Sequence, residues 1–130
     1  MKLLLDTHIW VWAVAEPAKL APTVTKAIAN RVNEVWLSPV SVWEVLLLIK
    51  KNRLSTGGSA DMWVSKALQA APFLEATFTN EVALAVAQIQ LPHRDPTDHF
   101  LVATAKVYGL TFVTSDKNIL ASKQISVLAN

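Results

Sequence analysis

The 130-residue chain contains no cysteine, which excludes a disulfide framework and any thiolate metal site. That fits a reducing compartment. Charged residues are scarce, 17% of the chain against 52% hydrophobic, a balance that argues against disorder and for a packed globule. Long apolar runs are missing as well. The longest, Ile9 to Ala15 and Val45 to Ile49, are too short to cross a bilayer, and Asp6 interrupts the apolar opening before it can act as a signal peptide. The expectation is one domain over residues 1–130, cytoplasmic and without membrane association. A net charge of +2 and a pI near 9 permit contact with nucleic acid without demanding it.

Apolar segments alternate between strand and helix character. Lys2 to Leu5 reads as a short buried strand and Thr7 to Ala15 as the helix after it, with Pro22 opening a second helix. Glu34 to Ser38 is a strand candidate. Ser41 to Lys51 reads as a helix apolar nearly all round, and hence buried on most faces. Asn52 to Ala60, with its Gly-Gly pair, reads as a loop. Helical patterns return at Asp61 to Ala71 and Asn80 to Gln90, with a short strand near Leu74 to Thr77 between them. Thr97 to Tyr108 is a further helix with Gly109 at its C-cap, Thr111 to Thr114 a strand, and Ile125 to Leu128 the last strand. Such alternation predicts an α/β fold with a mostly parallel sheet covered on both faces.

Four acids stand out because each lies where a strand or loop hands over to an apolar helix: Asp6, Glu44, Asp98 and Asp116. Carboxylates beside apolar segments are costly unless something positive meets them. Ligands of open α/β sheets bind beyond the C-terminal strand ends, where Asp6 and Asp116 should project. Each could instead be a helix cap, the better reading for either taken alone. Ser41 and Glu44 match a capping box, yet Glu44 is the one ionisable group of its helical turn, and that enclosure favours metal ligation. Asp95 and Asp98 lie one helical turn apart, Asp95 placed as a cap and Asp98 as a ligand. Four carboxylates without His or Cys at ligand spacing select Mg²⁺ or Mn²⁺ over Zn²⁺ and point to phosphate chemistry. Arg94 and Lys117 adjoin proposed ligands and suit phosphate contact, as His99 beside Asp98 does. His8 and His93 read as surface or loop histidines, and the five tryptophans mostly as core. Trp10 and Trp12 cannot both face inward on one helix.

Four segments, taken together, resemble the PIN-domain family, especially VapC-type toxins of toxin–antitoxin pairs. They are Leu3-Leu4-Leu5-Asp6-Thr7-His8-Ile9-Trp10, Ser38-Pro39-Val40-Ser41-Val42-Trp43-Glu44, Pro92-His93-Arg94-Asp95-Pro96-Thr97-Asp98, and Leu101-Val102-Ala103-Thr104-Ala105 continuing to Val113-Thr114-Ser115-Asp116. The resemblance implies a three-layer α/β/α sandwich with a central, mostly parallel sheet. It also implies a Mg²⁺- or Mn²⁺-dependent endoribonuclease with Asp6, Glu44, Asp98 and Asp116 as its acids and Thr7 shaping the site. A homodimer and a small cognate antitoxin as partner follow from the same likeness. Thr97 and His99 depart from the aromatic and the arginine expected beside Asp98. Hydrolysis by water in line would leave 5′-phosphate and 3′-hydroxyl ends on RNA. The rival readings are a catalytically idle RNA- or partner-binding PIN domain, and a phosphoacceptor or dehalogenase-type domain. The phosphoacceptor reading lacks its aspartate, since Leu37-Ser38-Pro39 supplies none at the middle strand's end, and the dehalogenase type fails because His8 stands where a second Asp is required.

Overall fold

The run Leu3-Leu4-Leu5 forms β1 (Lys2–Leu5), the central strand of a five-stranded sheet in the computed structural model, which describes residues 1–55 and 57–130. All three leucines are fully buried, as a continuous apolar run must be when both faces of a parallel sheet are covered. Beside it lie β2 (Glu34–Leu37) and β4 (Thr111–Thr114), with β3 (Leu74–Glu75) and β5 (Val127–Ala129) at the edges. The order is β3-β2-β1-β4-β5 and every pairing is parallel, Leu3 standing opposite Val35 on one side and Thr111 on the other.

Period-two alternation divides the core into two layers. Leu3, Leu5 and Val113 point to one face, where they pack with α1 (Thr7–Ala15), α2 (Pro22–Ala29), α3 (Pro39–Lys50) and α4 (Ala60–Ala70). Leu4 and Phe112 point to the other, against α5 (Asn80–Val86), α6 (Pro96–Tyr108) and α7 (Lys117–Ser122). The result is the three-layer α/β/α sandwich expected from the sequence, with a sheet that is wholly parallel.

Helix starts follow local chemistry. Ser38 and Asp95 accept backbone N–H bonds as N-caps of α3 and α6, each followed by a proline at N1 that has no N–H to leave unpaired. Pro22 opens α2 in the same way. Several elements differ from the sequence reading. Helix α3 begins at Pro39 rather than Ser41, and only Ser41 and Val45 on it are buried, so it is not enclosed on most faces. Helix α5 stops at Val86 instead of Gln90, because Gln88 and Ile89 bond back to Ala85 and Val86 in tighter turns. Helix α7 occupies a stretch where no element was expected, and β5 lies at Val127–Ala129 rather than Ile125–Leu128. Of the expected loop Asn52 to Ala60, residue 56 lies outside the described residues and Ala60 already opens α4.

Gly109 ends α6 at φ 65°, its N–H bonded to the carbonyls of Ala105 and Lys106. A Cβ there would meet no atom within 4 Å, so replacement tests the backbone conformation alone. Gly109→Ala is expected to cost roughly 1 kcal/mol in urea denaturation through the left-handed φ. The urea dependence should keep its slope, and an unchanged midpoint would show that this cap does not require glycine.

Candidate active site

Strand β1 ends directly into Asp6, which caps α1 and receives its position from three bonds. Its backbone N–H donates to the Val113 carbonyl at 3.0 Å, Oδ1 accepts from Thr7 N at 2.8 Å, and Oδ2 accepts from the Thr114 hydroxyl at 2.6 Å. The same Thr114 oxygen accepts from Asp116 N at 3.0 Å. One buried hydroxyl at the end of β4 therefore ties two acids from different chain segments together. Asp116 in turn caps α7, Oδ1 accepting from Asn118 N at 2.8 Å and Ile119 N at 3.2 Å. For both acids the cap reading holds, and it does not compete with a second role. For Asp116 the cap occupies one oxygen and leaves Oδ2 directed elsewhere.

Glu44 lies on the second turn of α3. Since Ser38 is the cap of that helix and the Ser41 N–H donates to the Ser38 carbonyl at 3.0 Å, the capping-box reading of Ser41 and Glu44 is excluded. Ser41 is buried and lies 3.0 Å from the Thr7 hydroxyl oxygen, and Thr7 also hydrogen-bonds to the Glu44 carboxylate. Thr7 thus shapes the site through its hydroxyl, joining α1 to α3. Asp95 caps α6 through Thr97 N at 3.0 Å, and Asp98 sits in the first turn of the same helix.

These acids converge. Asp6, Glu44, Asp95, Asp98 and Asp116, with His8, Trp12 and Ser115, line one cleft of about 390 Å³ at the C-terminal end of the sheet. At about 30 Å³ per water, that holds a hydrated ion together with a phosphate group. Arg94 and Lys117 are exposed and do not line it, while His99 turns Nδ1 to the Asp95 carbonyl at 2.9 Å. His93 lies in a loop, as read from the sequence, but its ring turns inward among the acids. Its Nε2 lies 3.4 Å from Asp98 Oδ2 and 3.6 Å from Asp116 Oδ2, inside the acidic group. Thr114, Ser41 and His93 went unmarked in the sequence. Only His93 had a signal there, its place in the segment leading to Asp98.

The tryptophans divide. Trp10 is buried and packs edge-on against Trp63 with ring centroids 5.9 Å apart. Trp12 reaches the cleft, tilted against His8, and Trp43 is 54% exposed rather than core.

Mutual repulsion marks the electrostatics. Burial, followed by the charges of Asp6, Asp95, Asp116 and Glu44, pushes the Asp98 carboxyl up to about 7. Asp6 is raised by burial, against the lowering effect of its bonds to Thr114 and Thr7. Glu44 is raised by burial too, with the Thr7 bond opposing and Asp6 and Asp95 adding. Converging carboxylates that resist ionisation fit a divalent cation, which would relieve the desolvation and the repulsion together.

The family model of the PIN domain matches residues 3–123. Ribonuclease VapC22 of Mycobacterium tuberculosis is 27% identical over 117 residues, covering 90% of this chain and 88% of that protein. Among solved structures, the fold is similar to the DNA-bound VapBC of Salmonella typhimurium (TM-score 0.74, 16% identity, 99% of this chain and 98% of that one). It is also similar to FitAB bound to the IR36 DNA fragment (TM-score 0.66, 24% identity, 98% and 94%).

A raised carboxyl has a defined effect on stability. The folded chain holds the Asp98 proton more tightly than the unfolded chain does, from near the ordinary value of 3.8 up to about 7. That contribution is complete below the unfolded value and is lost as pH rises through the folded one. The metal-free protein should therefore melt at lower temperature at pH 8 than at pH 5. Asp98→Asn should flatten the fall and raise the pH 8 melting temperature by roughly 3–8 °C. Identical profiles for wild type and variant, followed by circular dichroism, would show that the acids do not strain the fold.

Proposed function

This chain belongs to the PIN-domain family, and from that premise we propose that it is a divalent-metal-dependent endoribonuclease, the toxin of a VapBC-type toxin–antitoxin pair. The observation that carries the proposal is the convergence of Asp6, Glu44, Asp98 and Asp116 in one cleft at the C-terminal end of the sheet. Residues 1–130 act as a single PIN domain in this reading. The similarity to Ribonuclease VapC22 supports RNA as substrate, and the VapBC complexes among the structural neighbours support a small protein antitoxin as partner. Action in the cytoplasm as a homodimer completes the proposal. Among the described residues no helix is long and apolar enough to cross a membrane.

Asp6, Glu44, Asp98 and Asp116 would hold the cation, directly or through water. A divalent ion, Mg²⁺ or Mn²⁺, would supply Lewis acidity there, lowering the pKa of water and offsetting negative charge at the phosphate. Thr114 keeps Asp6 and Asp116 in fixed relation, and Thr7 fixes Glu44, so the carboxylates need little rearrangement to bind. Five of the ten acids line the cleft, which leaves the other surfaces with all twelve Lys and Arg against the remaining acids. Arg94 and Lys117, exposed beside the cleft, are placed to meet the RNA backbone. Trp12 in the cleft wall offers an aromatic face to an unstacked base.

Purified, partner-free protein incubated with cellular RNA should produce discrete fragments with Mg²⁺ or Mn²⁺ and none with EDTA. Fragment ends should be 5′-phosphate and 3′-hydroxyl, and Asp6→Asn or Asp98→Asn should slow cleavage roughly a hundredfold or more. Products ending in 2′,3′-cyclic phosphate would refute water as the nucleophile. RNA binding with no cleavage under any divalent metal would leave the idle binding domain as the correct reading.

A further inference from the structure

His93 stands in the loop ahead of α6, and its surroundings are unusual for a histidine. Both ring nitrogens are buried, and neither has a hydrogen-bond partner among the described residues. Leaving a buried polar group unpaired forfeits its hydration with nothing in return, so its placement calls for a compensating partner. Two acidic oxygens face Nε2, Asp98 Oδ2 at 3.4 Å and Asp116 Oδ2 at 3.6 Å. At those separations Nε2 makes no well-formed hydrogen bond to either oxygen, yet all three ligand atoms lie within 4.8 Å of one another. Two donors each about 2.1 Å from a single ion stand about 3.0 Å apart at adjacent octahedral corners and about 3.4 Å apart at tetrahedral ones. The observed spacing is that of co-ligands rather than of an ion pair in contact.

The carboxylates are oriented to match. Asp116 uses Oδ1 to cap α7 and turns Oδ2 toward His93, while Asp98 offers Oδ2 from the first turn of α6. Resting on the reading of these acids as a cation site, we infer that His93 supplies an imidazole nitrogen to the same divalent ion that Asp98 and Asp116 bind. The centre is then a mixed nitrogen–oxygen site and takes Mn²⁺ in preference to Mg²⁺, because Mg²⁺ favours oxygen donors while imidazole suits transition metals. The segment from His93 to Asp98 delivers a cap for α6, one carboxylate ligand and one nitrogen ligand within a single bend of chain.

The test is Mn²⁺ bound to the full chain at pH 8, read by electron paramagnetic resonance. Continuous-wave spectra report how much ion is bound, and pulsed spectra report ¹⁴N coupling from a directly coordinated imidazole. Wild type and His99→Gln should show that coupling, and His93→Gln should lose it and bind Mn²⁺ about tenfold more weakly or worse, with a smaller change for Mg²⁺. Bound Mn²⁺ that disappears in Asp98→Asn but shows no nitrogen coupling in the wild type would overturn the role of His93 and leave the acidic site standing. Coupling that persists in His93→Gln would overturn it equally, assigning the nitrogen to another residue such as His8. Absence of any bound Mn²⁺ in the wild type would overturn the metal-site reading itself and this inference with it. Because the wild-type spectrum alone decides whether nitrogen is bound, a His93→Gln variant that failed to fold would not rescue the inference.

Discussion

The burial of several carboxylates at one end of a parallel sheet, with their mutual repulsion added, is the constraint around which the rest of this structure is arranged. Strands β1 and β4 deliver Asp6 and Asp116, α3 delivers Glu44, and α6 delivers Asp98, each on a rigid element. Asp6, Asp98 and Asp116 each follow from an ordinary helix start or strand end, and Glu44 alone stands a turn inside its helix. Asp6, Glu44 and Asp98 hold their protons more tightly than free carboxyls do, Asp98 most clearly. The two packed layers beneath them fix the backbone that carries these groups.

The hydroxyls that hold the acids matter as much as the acids. Thr114 donates to Asp6 while accepting from the Asp116 backbone, and Thr7 bridges toward Ser41 and Glu44. Their effect on Asp6 and Glu44 is to favour the charged form against burial, which prepares the carboxylates for a cation without neutralising them. Caps do a second job here. Asp6 and Asp116 satisfy the first N–H groups of α1 and α7, so the motif that positions the ligand also terminates the helix. A capping role therefore leaves each side chain free to serve the proposed cation site as well.

Much of this was legible in the sequence, for identifiable reasons. The Leu3-Leu4-Leu5 run announced a strand buried on both faces, and Gly109 marked the end of α6 by its need for a left-handed φ. Asp6, Asp98 and Asp116 were visible because polar residues at strand ends and first turns stand out against apolar neighbours. Glu44 was harder, since Ser41 imitates a cap that Ser38 and Pro39 in fact provide. What could not be read were contacts fixed only by tertiary packing. His93 has no partner at helical or strand spacing, and it meets Asp98 and Asp116 only because a loop folds over the sheet end. Trp43 looked like core in an apolar helix, but α3 turns that face outward, and periodicity alone does not say which side the sheet will cover.

The most direct test of the account is anomalous diffraction from crystals of the full chain soaked in Mn²⁺. The account predicts one strong peak bounded by the carboxylates of Asp6, Asp98 and Asp116, with Glu44 directly or through water on its remaining side. A cleft without a peak, with Mn²⁺ bound only elsewhere on the surface, would contradict it, reducing Asp6 and Asp116 to helix caps and leaving Glu44 and Asp98 with no cation to hold.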